Sequence, residues 1–192
     1  RQAGIPEGVV RIAQGGPATG KALSQHTDID GLLFTGSAQT GIALNSQFAH
    51  RPDKILALEM GGNNPIIVWD TRDIHSAAVL VVQSAFLSAG QRCTAARRLI
   101  VKDDLYEQVV GEVKKIADRL IIGDPHGEPP PFMGPVIDND VRDNLVESFL
   151  ALMSRGGRPI KHMQAPIQGR PFLFPGIIDV TEMADRPDIE LF

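Results

Sequence analysis

Two runs that are apolar without a break, Ile55-Leu56-Ala57-Leu58 and Pro65-Ile66-Ile67-Val68, flank a Gly-Gly-Asn-Asn turn. A strand with one wet face alternates apolar and polar residues, because successive side chains point to opposite sides. Unbroken runs therefore predict strands buried on both faces, as in a parallel sheet covered by helices. The surrounding pattern agrees. Val9-Val10-Arg11-Ile12-Ala13 reads as a short strand, with a helix after Gly20, and Leu32-Leu33-Phe34-Thr35, closed by Gly36, reads as a strand before a helix from Ala38 to about His50. Ile74 to Ala89 is apolar on most faces, which predicts a buried helix, and Arg97 to Val101 reads as a strand. Leu105, Val109, Val110, Val113, Ile116, Ala117 and Leu120 form one stripe of an amphipathic helix that covers a sheet. A Pro-rich loop from Pro125 to Pro135 leads to a helix over Asp138 to Met153, with Val141, Leu145, Val146, Phe149 and Leu152 as its apolar positions. After Gly156-Gly157 the chain turns polar and Pro-rich, and no internal repeat is present. Strands separated by helices define an α/β fold of open, mostly parallel sheets. The boundary falls at Gly61-Gly62, dividing the chain into 1–60 and 61–192.

With 43% hydrophobic and 22% charged residues in 192, the chain can bury a core, and disorder is excluded. A net charge of −4 without a basic block leaves no electrostatic footprint for nucleic acid. The longest apolar run stops at Gln83, far short of the roughly 20 residues of a membrane span. A single cysteine excludes an internal disulfide and a Cys-based zinc site, fits a reducing, cytoplasmic setting, and no metal is expected. The opening at Arg1 and the short charged stretch before Phe192 give the expectation of an excised piece of a longer chain.

Four segments carry chemistry-bearing residues. Gly15 to Lys21 has the spacing of a phosphate-binding loop after the expected strand, but Ala22 lacks the hydroxyl that such a loop uses to hold Mg²⁺. A turn feeding a helix is the plainer reading, and a nucleotide-binding module of this type is the alternative from a different class. Gly36-Ser37-Ala38-Gln39-Thr40-Gly41 runs from strand to helix, where free N–H groups and the helix dipole favour an anion; such glycines also serve packing alone. Glu59 follows a run expected to be buried, which would raise its pKa and suit it to general-base work; the other reading is a strand-end acid facing solvent. Cys93 lies beside Arg92 after a helix and a glycine. A neighbouring cation and aligned N–H groups would favour its thiolate, although an inert thiol fits equally.

Taken together, Phe34-Thr35-Gly36-Ser37 with Gly41, Glu59-Met60-Gly61-Gly62-Asn63-Asn64-Pro65 and Gly90-Gln91-Arg92-Cys93 resemble the aldehyde dehydrogenase superfamily in order and spacing. Pro6-Glu7-Gly8-Val9-Val10 resembles the family's Pro-x-Gly-Val-hydrophobic segment, and Glu190-Leu191-Phe192 the start of its Glu-hydrophobic-Phe-Gly-Pro motif. Within the superfamily, the Leu58–Pro65 and Gly90–Arg98 segments look most like the N-succinylglutamate 5-semialdehyde dehydrogenases, while Gln91-Arg92-Cys93 also resembles the Δ1-pyrroline-5-carboxylate dehydrogenases. The resemblance implies an NAD-dependent enzyme on a small aldehyde, in which Cys93 attacks the carbonyl and Glu59 activates the water that hydrolyses a thioester. It implies Gly36, Ser37 and Gly41 near the cofactor's pyrophosphate, Glu190 at the nicotinamide-side ribose and Phe192 lining the nicotinamide pocket. Arg92, Thr94 and Arg98 are the candidates for substrate contact. Residues 1–60 would be the C-terminal part of an NAD-binding domain and 61–192 most of a catalytic domain. The family's oxyanion-hole asparagine and ribose-binding lysine would lie upstream of Arg1 and its oligomerising strand downstream of Phe192, so the piece alone would be inactive and the longer protein a homo-oligomer.

Overall fold

The computed structural model describes residues 3–188 and 190, and the chain forms two compact units, Arg1–Met60 and Gly61–Phe192.

In the first unit, helix α1 (Pro17–Gln25) starts at Pro17 rather than after Gly20. Proline at the first helical position has no N–H to leave unpaired, and its fixed φ suits the turn. Strands β1 (Gly31–Gly36) and β2 (Ile55–Met60) pair in parallel, with Leu32 beside Leu56 and Thr35 beside Glu59, and helix α2 (Ala38–Phe48) is their crossover. The expected strand at residues 9–13 does not form. Val9 and Ile12 are exposed, and the segment joins no sheet among the described residues; a strand without a partner leaves its backbone groups unpaired. Without that strand, Gly15 to Lys21 lacks the strand-loop-helix setting of a phosphate-binding loop.

β2 is not buried on both faces either. Leu56 and Leu58 are half-buried, whereas Ile55 and Ala57 are exposed, as Leu33 is on β1. The described residues thus cover one face of the two-stranded sheet in part and leave the other open.

The second unit repeats the device with β3 (Asn64–Val68), α3 (Ile74–Phe86) and β4 (Ala96–Val101), the strands again parallel with Ile66 beside Leu99 and Val68 beside Val101. Here too the unbroken run hides an alternation: Ile66 and Val68 face in, while Ile67 is exposed. Asp73 caps α3, its Oδ1 accepting the Ser76 N–H at 2.9 Å. The helix stops at Phe86, short of Ala89, and Leu80 is exposed, so it is not buried all round. Helix α4 (Tyr106–Ala117) lays the expected stripe onto α3: Val68, Ala78, Val81, Val82, Val109 and Val113 form one core, with Leu105, Ile116 and Leu120 packed against it. Helix α5 (Asn139–Ser154), capped by Asp138, contributes Leu145 to a second cluster with Ala89, Met133, Val136 and Leu173. The polar tail holds two strands that its pattern did not announce, β5 (Arg158–Lys161) and β6 (Ile177–Asp179), which pair antiparallel.

Candidate active site

The lone thiol sits on a loop built by an inversion of backbone hand. After α3, Ser88 (φ 58°), Ala89 (φ 55°) and Gly90 (φ 72°) are left-handed in succession. Glycine takes this conformation freely, but Ser88 and Ala89 each cost roughly 1–2 kcal/mol. The turn ends α3 and delivers Gln91-Arg92-Cys93, with Cys93 exposed. Gln91 ties the loop down by donating from Nε2 to the Ser88 carbonyl (3.1 Å) and to that of Pro135 (3.3 Å).

Two side chains that the sequence reading passed over hold the backbone around the thiol. Asn64 Nδ2 donates to the Cys93 carbonyl at 2.6 Å and to that of Ala95 at 3.2 Å. Arg97, with its side chain 6% exposed, donates from Nη1 to Gly62 O (2.8 Å) and Ala95 O (3.1 Å) and from Nη2 to Gly90 O (3.1 Å) and Arg92 O (3.2 Å). Its Nη2 also pairs with Glu190 Oε1 at 2.8 Å. Burial pushes the guanidinium below its ordinary pKa, and the Coulombic influence of Glu190, with that of nearby Cys93 after it, opposes that shift. The signal that could have found Arg97 is strand parity: it shares the inward face of β4 with Leu99 and Val101, opposite exposed Arg98 and Ile100. A charged residue at an inward position needs partners on the protein.

The candidate substrate contacts divide. The Arg92 guanidinium is committed to structure, its Nη2 donating to the last carbonyls of α3, Gln83 O at 3.3 Å and Ser84 O at 3.2 Å. Thr94 is exposed, and Arg98, also exposed, donates from Nε to Asn63 O at 2.8 Å. Glu190 is paired with Arg97 and lies over Gly61, where a Cβ would fall inside its carboxylate. A second tie, Asn63 Nδ2 to Asp188 Oδ1 at 2.8 Å, fastens the same segment to the Gly61–Asn64 turn. Phe192 lies outside the described residues.

Within the first unit, Gly36 ends β1, and Ser37 caps α2 by accepting the Thr40 N–H at 3.3 Å. The first turn of α2 thus presents backbone N–H groups at the end of a parallel strand, the donor set that suits a phosphate. Gly41 has a packing task, since a Cβ there would meet the Met60 thioether. Glu59 is exposed near the end of β2, so the burial expected to tune it is absent. Among the described residues, no group of three or more His, Cys, Asp or Glu is placed to hold a metal, and no helix is long and apolar enough to cross a membrane.

Residues 1–187 match the aldehyde dehydrogenase family, and the chain belongs to that family. It is 66% identical over 190 residues to the N-succinylglutamate 5-semialdehyde dehydrogenase of Sphingopyxis alaskensis, covering 99% of this chain and 40% of the relative. The protein of the same name in Novosphingobium aromaticivorans is 62% identical over 191 residues, covering 100% and 41%. The chain therefore spans about two fifths of the length of these relatives. Among solved structures, 1-pyrroline-5-carboxylate dehydrogenase from Thermus with bound NAD superposes with a TM-score of 0.83 at 31% identity, covering 92% of this chain and 35% of that one. A mutant of Bradyrhizobium japonicum proline utilization A gives 0.85 at 34% identity, covering 94% and 18%.

Proposed function

We propose that the protein carrying this chain oxidises an aldehyde with NAD, and that the aldehyde is N-succinyl-L-glutamate 5-semialdehyde. The observation that carries the reading is the exposed Cys93 on a loop whose carbonyls are fixed from two sides. Family membership supplies the reaction class, and the relatives at 66% and 62% identity supply the substrate. Residues 1–60 serve in this reading as the C-terminal part of the NAD-binding domain and 61–192 as most of the catalytic domain. The β1–α2 junction, with Gly36 and the N–H groups after Ser37, suits the cofactor's pyrophosphate, and NAD bound there supplies the hydride acceptor.

The remaining steps belong to the chain's own groups. Cys93 Sγ attacks the aldehyde carbon and forms a tetrahedral adduct whose oxygen takes up negative charge, with the Cys93 backbone N–H as a donor toward it. Loss of hydride leaves a thioester on Cys93. Glu59 then draws a proton from water, the water attacks the thioester carbonyl, and the acid leaves as the thiol is regenerated. Arg98 and Thr94, both exposed, are the side chains available for the substrate's carboxylates.

The test places this chain in the matching segment of the Sphingopyxis alaskensis relative and follows single turnover. Cys93→Ala should abolish NADH formation, whereas Glu59→Gln should release a burst near one NADH per site and then turn over slowly. Wild-type turnover by Glu59→Gln would make Glu59 a structural acid. Equal steady-state rates on N-succinylglutamate and glutamate semialdehydes, in place of an expected difference above about tenfold, would remove the substrate assignment.

A further inference from the structure

We infer that Asn64 and Arg97 are positioning residues for Cys93, a two-sided clamp that fixes the thiol's backbone; the inference rests on reading Cys93 as the nucleophile. The clamp is built from unlike halves. Asn64, at the first residue of β3, takes the carbonyls of Cys93 and Ala95, and Arg97, the second residue of β4, takes those of Gly90, Arg92 and Ala95. Four carbonyls within six residues of chain thus accept from two side chains, and those of Gly90 and Arg92 also accept the backbone N–H groups of Arg92 (2.9 Å) and Ala95 (3.0 Å). Such a loop has no ladder of its own, and these side-chain donors join its few internal turn bonds in fixing its shape.

Both halves are anchored to the same turn. Arg97 also holds Gly62 O, and Asn64 closes the Gly61–Asn64 turn itself, so the thiol loop is referenced to the parallel strands rather than to solvent. Glu190 pairs with the buried guanidinium at Nη2, and Gly61 leaves the room for its carboxylate. Lysine at position 97 would keep the charge and lose the planar fork that reaches carbonyls on both sides of Cys93. Placement matters because a shift of about 1 Å in a reacting group costs on the order of 100-fold in rate.

The test joins two readouts on Asn64→Ala, Arg97→Lys and Arg97→Met. In the 192-residue chain, amide exchange over residues 88–96 should rise about tenfold in Asn64→Ala and in Arg97→Lys, while α4 and α5 stay within about twofold. In the Sphingopyxis alaskensis chimera, the NADH burst rate should fall by about tenfold or more in both, with KM for the aldehyde changed by less than about threefold. Should Arg97→Met fail to fold, Asn64→Ala, which removes one neutral amide, decides alone. Exchange that is unchanged over 88–96, or that rises equally throughout the second unit, overturns the clamp. A substituted chimera whose burst matches the unsubstituted one overturns its positioning role. If the unsubstituted chimera gives no burst, the nucleophile reading falls, and the positioning role falls with it.

Discussion

The two units use the same device, a parallel strand pair with a helix between, yet they end in different states. In the first, Phe48 is the single buried hydrophobic side chain among the described residues, and Leu33 is 83% and Ile55 69% exposed. In the second, Ala78 and Val109 have no exposed surface at all. What differs is α4. In the first unit α1 buries only Ser24, so α2 and the strand pair close little between them, whereas in the second α4 encloses the side chains of α3. Its Val109 and Val113 meet Ala78, Val81 and Val82 from outside, each fully buried valine contributing about 1.5–3 kcal/mol. Two strands and a crossover make a scaffold, and a layer added to it makes a core.

The sharpest way to break this comparison is Val109→Asp. An unpaired carboxylate there should cost about 4 kcal/mol and speed amide exchange in α3 and α4 about a thousandfold. Acceleration under about tenfold would mean that α4 is not what closes the core.

A smaller effect is expected where the second unit is held by polar groups. Burial raises the Asp179 carboxyl, but donation from Thr181, Tyr106 and Arg158 outweighs it and holds the group well below the usual carboxylate range. Because the folded pKa is depressed, this contribution is full above the unfolded value near 4 and is lost as pH falls through the folded one. Asp179→Asn should therefore cost roughly 2 kcal/mol at pH 7, and its deficit in urea melts should shrink steadily below about pH 4. A deficit independent of pH would assign the loss to packing. The smallest effect belongs to the first unit: Leu33→Ser should leave exchange in β1 and β2 within about twofold, because surface substitutions stay within about 0.5 kcal/mol.

The same contrast explains what the sequence disclosed. The α4 stripe was legible because periodicity reports a helix packed on one side. Unbroken apolar runs misled, since Ile55 and Ile67 carry the pattern of doubly buried strands and lie on open faces. Periodicity records what a residue type tolerates, and covering layers are supplied by other segments. β5 and β6 were hidden because four residues containing a proline and three residues after a glycine are too short to show alternation. The thiol loop was legible by residue type at Cys93, but its supports were not: Arg97 meets Glu190 across a long stretch of chain, and Arg92, the cation adjacent in sequence, turns away to α3.

The left-handed turn at Ser88, Ala89 and Gly90 also sets which letters the gene can write there. By exposure alone, Ser88 sits on open surface and would accept almost any residue, whereas buried Ala89 would accept only small ones. Handedness redraws both lists. Valine, isoleucine and threonine are strongly disfavoured at either position, and glycine, asparagine and aspartate become the natural alternatives. The segment that presents the thiol is thus written in an alphabet chosen by chirality, and its drift over generations runs along a narrower path than its exposure implies.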